Sequence, residues 1–151
     1  ASIMINLILQ GREPIIYGNG LQKRCFSFID DDIDILKLLA TSSKANGEVI
    51  NIGPDKEFVT IIELANVIAE ILNVEINPIF MKGRPQEVFL ANCSADKARN
   101  LFDYNPKVSL RDGLESMIDY IKDRGVKSFK YHLDLEIINE KTPKTWKDRV
   151  F

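Results

Sequence analysis

Histidine occurs once in the 151 residues, tryptophan once and cysteine twice. With His132 as the only imidazole, a Ser-His-Asp or Cys-His arrangement has a single possible base. It lies in a stretch with no clear period and reads as a surface or packed histidine. Cys25 and Cys93 are far apart with no CxxC spacing, so they read as reduced thiols of a cytoplasmic protein rather than a disulfide. No cluster of His and Cys has zinc spacing. Long apolar runs are also missing: none approaches the roughly 20 residues of a spanning helix. The opening ASIMINLILQGREP carries no basic n-region and turns polar after Gln10, which makes it a poor signal peptide. Charge of one sign is absent too. Twenty Lys and Arg against 22 Asp and Glu, interspersed, leave a formal net charge of −2. Nothing in that balance suggests a nucleic-acid face or a polybasic membrane patch, so no nucleic acid and no membrane are expected as partners.

Phosphate loops are lacking as well. No GxxxxGK[ST] is present, and Gly18-x-Gly20 leads into a strand pattern without a third glycine. By itself the chain has no recognisable site for ATP or for a dinucleotide. The acids Asp30, Asp31, Asp32 and Asp34 lack the glycine and later Glu of a calcium loop, and helix capping accounts for them; no metal is expected.

What is present is a 45% hydrophobic chain able to build one core. Residues 3–10 read as the end of a helix stopped by Gly11 and Pro14. PIIYG and RCFSFI read as strands separated by the Gly18-Asn19-Gly20 turn, and GEVINIG and INPIFM as two more. DDDIDILKLLATS predicts a helix with Asp30 as its N-cap. VTIIELANVIAEILNV predicts the strongest helix, with a Thr60–Glu63 capping box and a stripe of Ile61, Leu64, Ala65, Ile68, Ile71 and Leu72. SADKARNLF predicts a short helix capped by Ser94. SLRDGLESMIDYIKDRG predicts a long one, with Ser109 and Asp112 as a capping box and Gly125 beyond its end. Alternating strands and helices predict an α/β or α+β unit. Residues 129–151 read as an extended tail wrapping another surface.

Two basic positions stand out. Arg24 follows the glycine turn at the start of a strand. Arg84 lies in KGRPQEVF, where Gly83 and Pro85 constrain the backbone and Glu87 follows three residues later. A guanidinium fork matches a diphosphate through parallel charge-assisted hydrogen bonds. A nearby carboxylate can accept from ribose hydroxyls, and Tyr17 can lie against a flat base. The alternative is that both arginines are solvated surface charges.

The pieces IIYGNGLQKRCFSFIDDDIDILKLLA, GEVINIGPDKEFVTIIELANVIAEIL and KGRPQEVFLANCSADKARNLFDYNPKVSLRDGLESMIDYI, in that order, resemble the C-terminal half of extended short-chain dehydrogenase/reductases. These are the NAD-dependent nucleotide-sugar epimerases and dehydratases, such as UDP-hexose 4-epimerases. The resemblance implies a substrate-binding portion at residues 1–128, with residues 24–42 as the last strand and helix of a Rossmann-like domain and 48–108 as most of a substrate lobe. Residues 129–151 form a C-terminal extension similar to those of some polysaccharide-pathway members. It further implies that Tyr17 lies near the base, Arg24 and Arg84 contact the diphosphate, and Glu87 contacts the ribose of a nucleotide-diphosphate sugar. Gln86 stands where the family usually has glycine, Glu87 where it has aspartate, and Cys25 where an aspartate commonly follows the arginine.

In that family a tyrosinate takes the proton of the sugar 4-hydroxyl while NAD accepts its hydride. The glycine-rich NAD loop and the Tyr-x-x-x-Lys pair belong to the N-terminal half, and neither is in this chain. Tyr104 is followed by NPK, one residue short of that spacing. No catalytic residue is therefore assigned, and NAD is expected only in the complete enzyme. An opening at Ala1, without an initiator Met and inside an apolar stretch, fits a chain whose first half lies elsewhere. Cut from that half, Phe26, Phe28, Leu36 and Leu39 are expected to expose apolar surface and to drive self-association or homo-oligomerisation. A reading of another class is a free-standing, non-catalytic nucleotide-sugar-binding or interaction module.

Overall fold

The computed structural model describes residues 1–128 and 138–149; His132 lies outside them. Three helices make the main core. Helix α1 (Ser2–Leu9), α3 (Ile61–Leu72) and α5 (Leu110–Arg124) bring together Ile5, Ile8, Leu64, Ile68, Leu114, Ile118 and Ile121. In α3 the buried stripe is Leu64, Ala65, Ile68 and Ala69, with Ile61, Ile71 and Leu72 half-buried at its margin. A smaller core joins Ile35 of α2 (Ile29–Thr41) to Ala95, to Ala98 of α4 (Asp96–Phe102) and to Tyr104.

The strands are short. β1 (Ile15–Tyr17) runs parallel to β4 (Ile79–Met81), with Tyr17 opposite Met81. β2 (Lys23–Arg24) lies between β3 (Val59–Thr60), antiparallel, and β5 (Leu90–Ala91), parallel. Helices with one small parallel sheet and one small mixed sheet make this an α/β fold, as the alternation predicts.

The capping signals are realised where they are local. Glu63 N–H donates to Thr60 Oγ1 at 3.1 Å, while Thr60 N–H donates back to Glu63 Oε2 at 2.7 Å. The Thr60 N–H and the Thr60 hydroxyl, which donates to the same oxygen at 2.9 Å, hold the Glu63 pKa below its ordinary value. Of the Ser109–Asp112 box only one half forms, Ser109 accepting from Asp112 N–H at 3.2 Å while its hydroxyl donates to the Asp112 carboxylate, and Gly125 takes φ +85 just beyond α5.

Other expectations shift. Phe28, not Asp30, is the N-cap of α2, and no side chain caps it. Two acids of the first turn, Asp31 and Asp32, reach the loop before α5 instead. Asp31 accepts from Lys107 N–H and Val108 N–H, both at 3.0 Å, and Asp32 accepts from the Tyr104 hydroxyl at 3.2 Å. Burial, reinforced by Asp32, pushes the Tyr104 pKa up to about 12. Likewise Ala95 rather than Ser94 caps α4, and its N–H donates to Asp55 at 2.9 Å.

RCFSFI contributes only its first residue to a strand. Phe26 leaves the ladder to pack on the three-helix core, and Phe28 packs on Gly113. GEVINIG forms no strand: among the described residues nothing pairs with it, and Ile50 and Ile52 instead cover the smaller core. The tail holds a one-turn helix, α6 (Lys144–Lys147), rather than extended chain throughout its described part.

Of the residues expected to expose apolar surface, Leu36 is 51% exposed, while Phe26, Phe28 and Leu39 are half-buried. Ile29 and Ile33 join Leu36 at helical spacing on the open face of α2. Among the described residues no helix is long and apolar enough to cross a membrane.

The Thr60 box begins the helix that carries the centre of the core. Thr60→Ala is expected to cost about 0.5–2 kcal/mol, read as a lower urea midpoint with unchanged slope. Asp55 is held below the usual carboxylate range by its hydrogen bonds from Arg99 at 2.6 Å and from Ala95 N–H. Because the folded pKa is depressed, this contribution is present above the unfolded pKa of about 3.9 and is lost as pH falls through the folded value. Asp55→Asn is therefore expected to flatten the fall of stability below about pH 4. An unchanged acid limb would contradict that assignment.

Candidate functional site

The site is built where β1 turns into β2. Gly18 N–H continues the β1–β4 ladder by donating to Met81 O at 2.9 Å, and Asn19 Oδ1 accepts from Leu21 N–H at 3.1 Å. Gly20 sits at φ +74, where a Cβ would lie 3.1 Å from Ile16 Cγ2 and 3.2 Å from Ile62 Cβ. Only a residue without a side chain fits both demands. The backbone then ties down the start of α3, with Ile62 N–H donating to Gly20 O and Ile61 N–H to Gln22 O, each at 3.1 Å. Gln22 is buried, and its Nε2 donates to Tyr17 O at 3.0 Å.

This turn brings Tyr17 and Arg24 to the hollow that Arg84 and Glu87 enter from a second turn. Tyr17, Arg24, Arg84 and Glu87 all line a cavity of about 410 Å³, with Ile15, Phe26 and Leu64 as its apolar wall. Tyr17 is 5% exposed, and the Arg84 guanidinium carbon lies 4.0 Å from the centre of its ring. Such a cation–π stack is worth about 0.5–2 kcal/mol. Arg24 reaches the same space from β2. Its Nη2 lies 3.4 Å from Glu87 Oε1, both side chains about one-quarter exposed or less, and its Nη1 donates to Lys23 O at 2.8 Å.

Arg84 and Glu87 are presented by one turn. Glu87 N–H donates to Arg84 O at 3.4 Å, Pro85 stands second, and Gln86 stands third at φ +59. Proline second and a positive φ third is the pattern of a type II turn, which favours glycine at the third place. Gln86 keeps that backbone at a steric cost of roughly 1–2 kcal/mol.

Cys25, next to Arg24, is a free, half-buried thiol. Burial first, then the charges of Cys93, Asp55 and Glu57, push its thiol pKa up. A larger groove, about 690 Å³, runs past the end of α3 between Asn66 and Asn77. No basic side chain lines it, so it offers an anion no counter-charge. Among the described residues no group of His, Cys, Asp and Glu is arranged to hold a metal ion.

Sequence reading missed Gln22, whose role depends on the turn bringing Tyr17 O within reach; a lone glutamine between Leu21 and Lys23 carries no such signal. It also missed that the two arginines have protein partners of their own.

Residues 2–117 match the GDP-mannose 4,6 dehydratase family. A UDP-glucuronic acid 4-epimerase from Bacillus cereus, solved with UDP-glucuronic acid and NAD, is 36% identical with a TM-score of 0.75, over 81% of this chain and 39% of that one. A UDP-glucose 4-epimerase from Thermotoga maritima, solved with UDP-glucose, is 29% identical with a TM-score of 0.74, over 81% and 38%. The UDP-N-acetyl-alpha-D-glucosaminuronate decarboxylase of Bacillus cytotoxicus is 28% identical over 125 residues, 79% of this chain and 38% of the relative. The chain thus spans about two-fifths of the length of these three proteins. With the family match running through most of its length, the chain belongs to the GDP-mannose 4,6 dehydratase family of extended short-chain dehydrogenase/reductases.

Proposed function

We propose that this chain is the nucleotide-sugar-binding portion of an NAD-dependent sugar epimerase or dehydratase, not catalytic by itself, and that its ligand is a UDP-sugar. The observation that carries the reading is the convergence of Tyr17, Arg24, Arg84 and Glu87 on one cavity. Similarity to epimerases solved with UDP-sugars supports the ligand class.

In this reading the diphosphate bridges Arg24 and Arg84. Arg84 leaves the Tyr17 ring to reach it. The exchange is favourable: hydrogen bonds to a charged group are worth about 1.5–3 kcal/mol each, a guanidinium fork can make two, and the stack it gives up is worth about 0.5–2 kcal/mol. Its departure uncovers the Tyr17 face for the base, so phosphate binding and base binding are linked through one side chain. Glu87 accepts from the ribose hydroxyls. Anchored at the nucleotide, the sugar is held by binding energy remote from its reacting carbon, which is how such anchoring contributes to rate.

The residues present do not fit NAD. The Gly18–Gly20 turn feeds β2 instead of a helix N-terminus, so its amides are not aimed as a dinucleotide pyrophosphate requires. NAD, where the complete enzyme binds it, supplies the hydride acceptor.

In the complete enzyme, Arg84→Ala is expected to weaken nucleotide-sugar binding by about 2–5 kcal/mol, seen as a raised KM and in calorimetric titration with UDP. Unchanged KM and kcat would remove Arg84 from the site.

A further inference from the structure

One turn fastens both sides of the cavity. From its first residue Arg84 reaches Tyr17, and from its fourth Glu87 reaches Arg24. Arg24 therefore does not wait as an open anion receptor. A carboxylate of the protein already holds one arm of its guanidinium, in a setting where both side chains are about three-quarters or more shielded from water.

We infer that Glu87 is a resident counter-ion, which an incoming anion must displace from Arg24 and which thereby selects nucleoside diphosphates against bare diphosphate. The inference rests on reading this cavity as a diphosphate site. Before binding, the charged side chains of the cavity are Arg24, Arg84 and Glu87, two cations and one anion, and the α-amino end of Ala1 also lines it. A diphosphate that takes Arg24 leaves the Glu87 carboxylate beside it in a half-buried wall, a like charge with its former partner gone.

Two kinds of ligand meet that carboxylate differently. Inorganic pyrophosphate is acceptor-rich and offers it little but repulsion. A nucleoside diphosphate carries a vicinal diol, whose hydroxyls donate to the released oxygens and restore their hydrogen bonds. Selection then comes from a penalty placed on the wrong ligand as much as from contacts to the right one. The carboxamide of Glu87→Gln keeps the shape but removes the charge, so it lifts the penalty without opening the wall.

The test is isothermal titration of the 151-residue chain and of Glu87→Gln with inorganic pyrophosphate and with UDP. Expected is pyrophosphate binding tightened by about tenfold or more in the variant, with a smaller change for UDP, so that the preference for UDP narrows. If UDP binds the parent chain and pyrophosphate affinity is the same in both, the counter-ion role is overturned while the site reading stands. If neither ligand binds either protein, the site reading is overturned and this inference with it. Circular dichroism checks folding; should Glu87→Gln not fold, Glu87→Ser carries the same comparison.

Discussion

Among the glycines, Gly20 leaves the least room for a side chain, hemmed in by Ile16 and Ile62. At that point the β1–β4 pair, the β2 sheet and the start of α3 meet within a few residues. A side chain there would push β1 away from α3, and Gln22 could no longer close on Tyr17 O. Arg24 would then be displaced with β2. The position of a charged group is thus set by the packing of apolar ones, through a residue that has no side chain of its own.

The site that results is electrostatically self-contained. Each cation has a partner of the protein's own, one a carboxylate and the other an aromatic face. Such pre-pairing has two physical effects. It holds two guanidinium groups at one cavity with each already in contact with a protein group, and it makes binding an exchange of partners rather than a simple gain. Affinity then depends on what the ligand does for the groups it releases. A turn of four residues, Arg84 to Glu87, sets both exchanges at once.

Features governed by neighbours in sequence were legible in it. The Thr60–Glu63 box, Ser109, the Gly125 stop and the stripe of α3 each depend on spacings of three or four residues, and these the structure reproduces. Features governed by distant partners were not. GEVINIG has strand composition, yet among the described residues it has no neighbour to pair with. RCFSFI has it too, but Phe26 finds more apolar contact on the three-helix core than on a ladder. Asp30 looked like a cap because it stands at the right place. Asp31 and Asp32 instead meet loop amides and a hydroxyl more than 70 residues away. For the site, spacing and likeness named Tyr17, Arg24, Arg84 and Glu87, but neither said that these residues would be paired with one another.

The central claim is that an anionic nucleotide binds between β2 and the Arg84–Glu87 turn. Amide chemical shifts of the chain, followed by NMR during titration with UDP, test it most directly. The account predicts saturable shifts at Gly18, Lys23, Gly83 and Glu87, with the groove at Asn73–Asn77 silent. Shifts confined to that groove, or none at millimolar UDP (roughly −4 kcal/mol of binding at most), would contradict it.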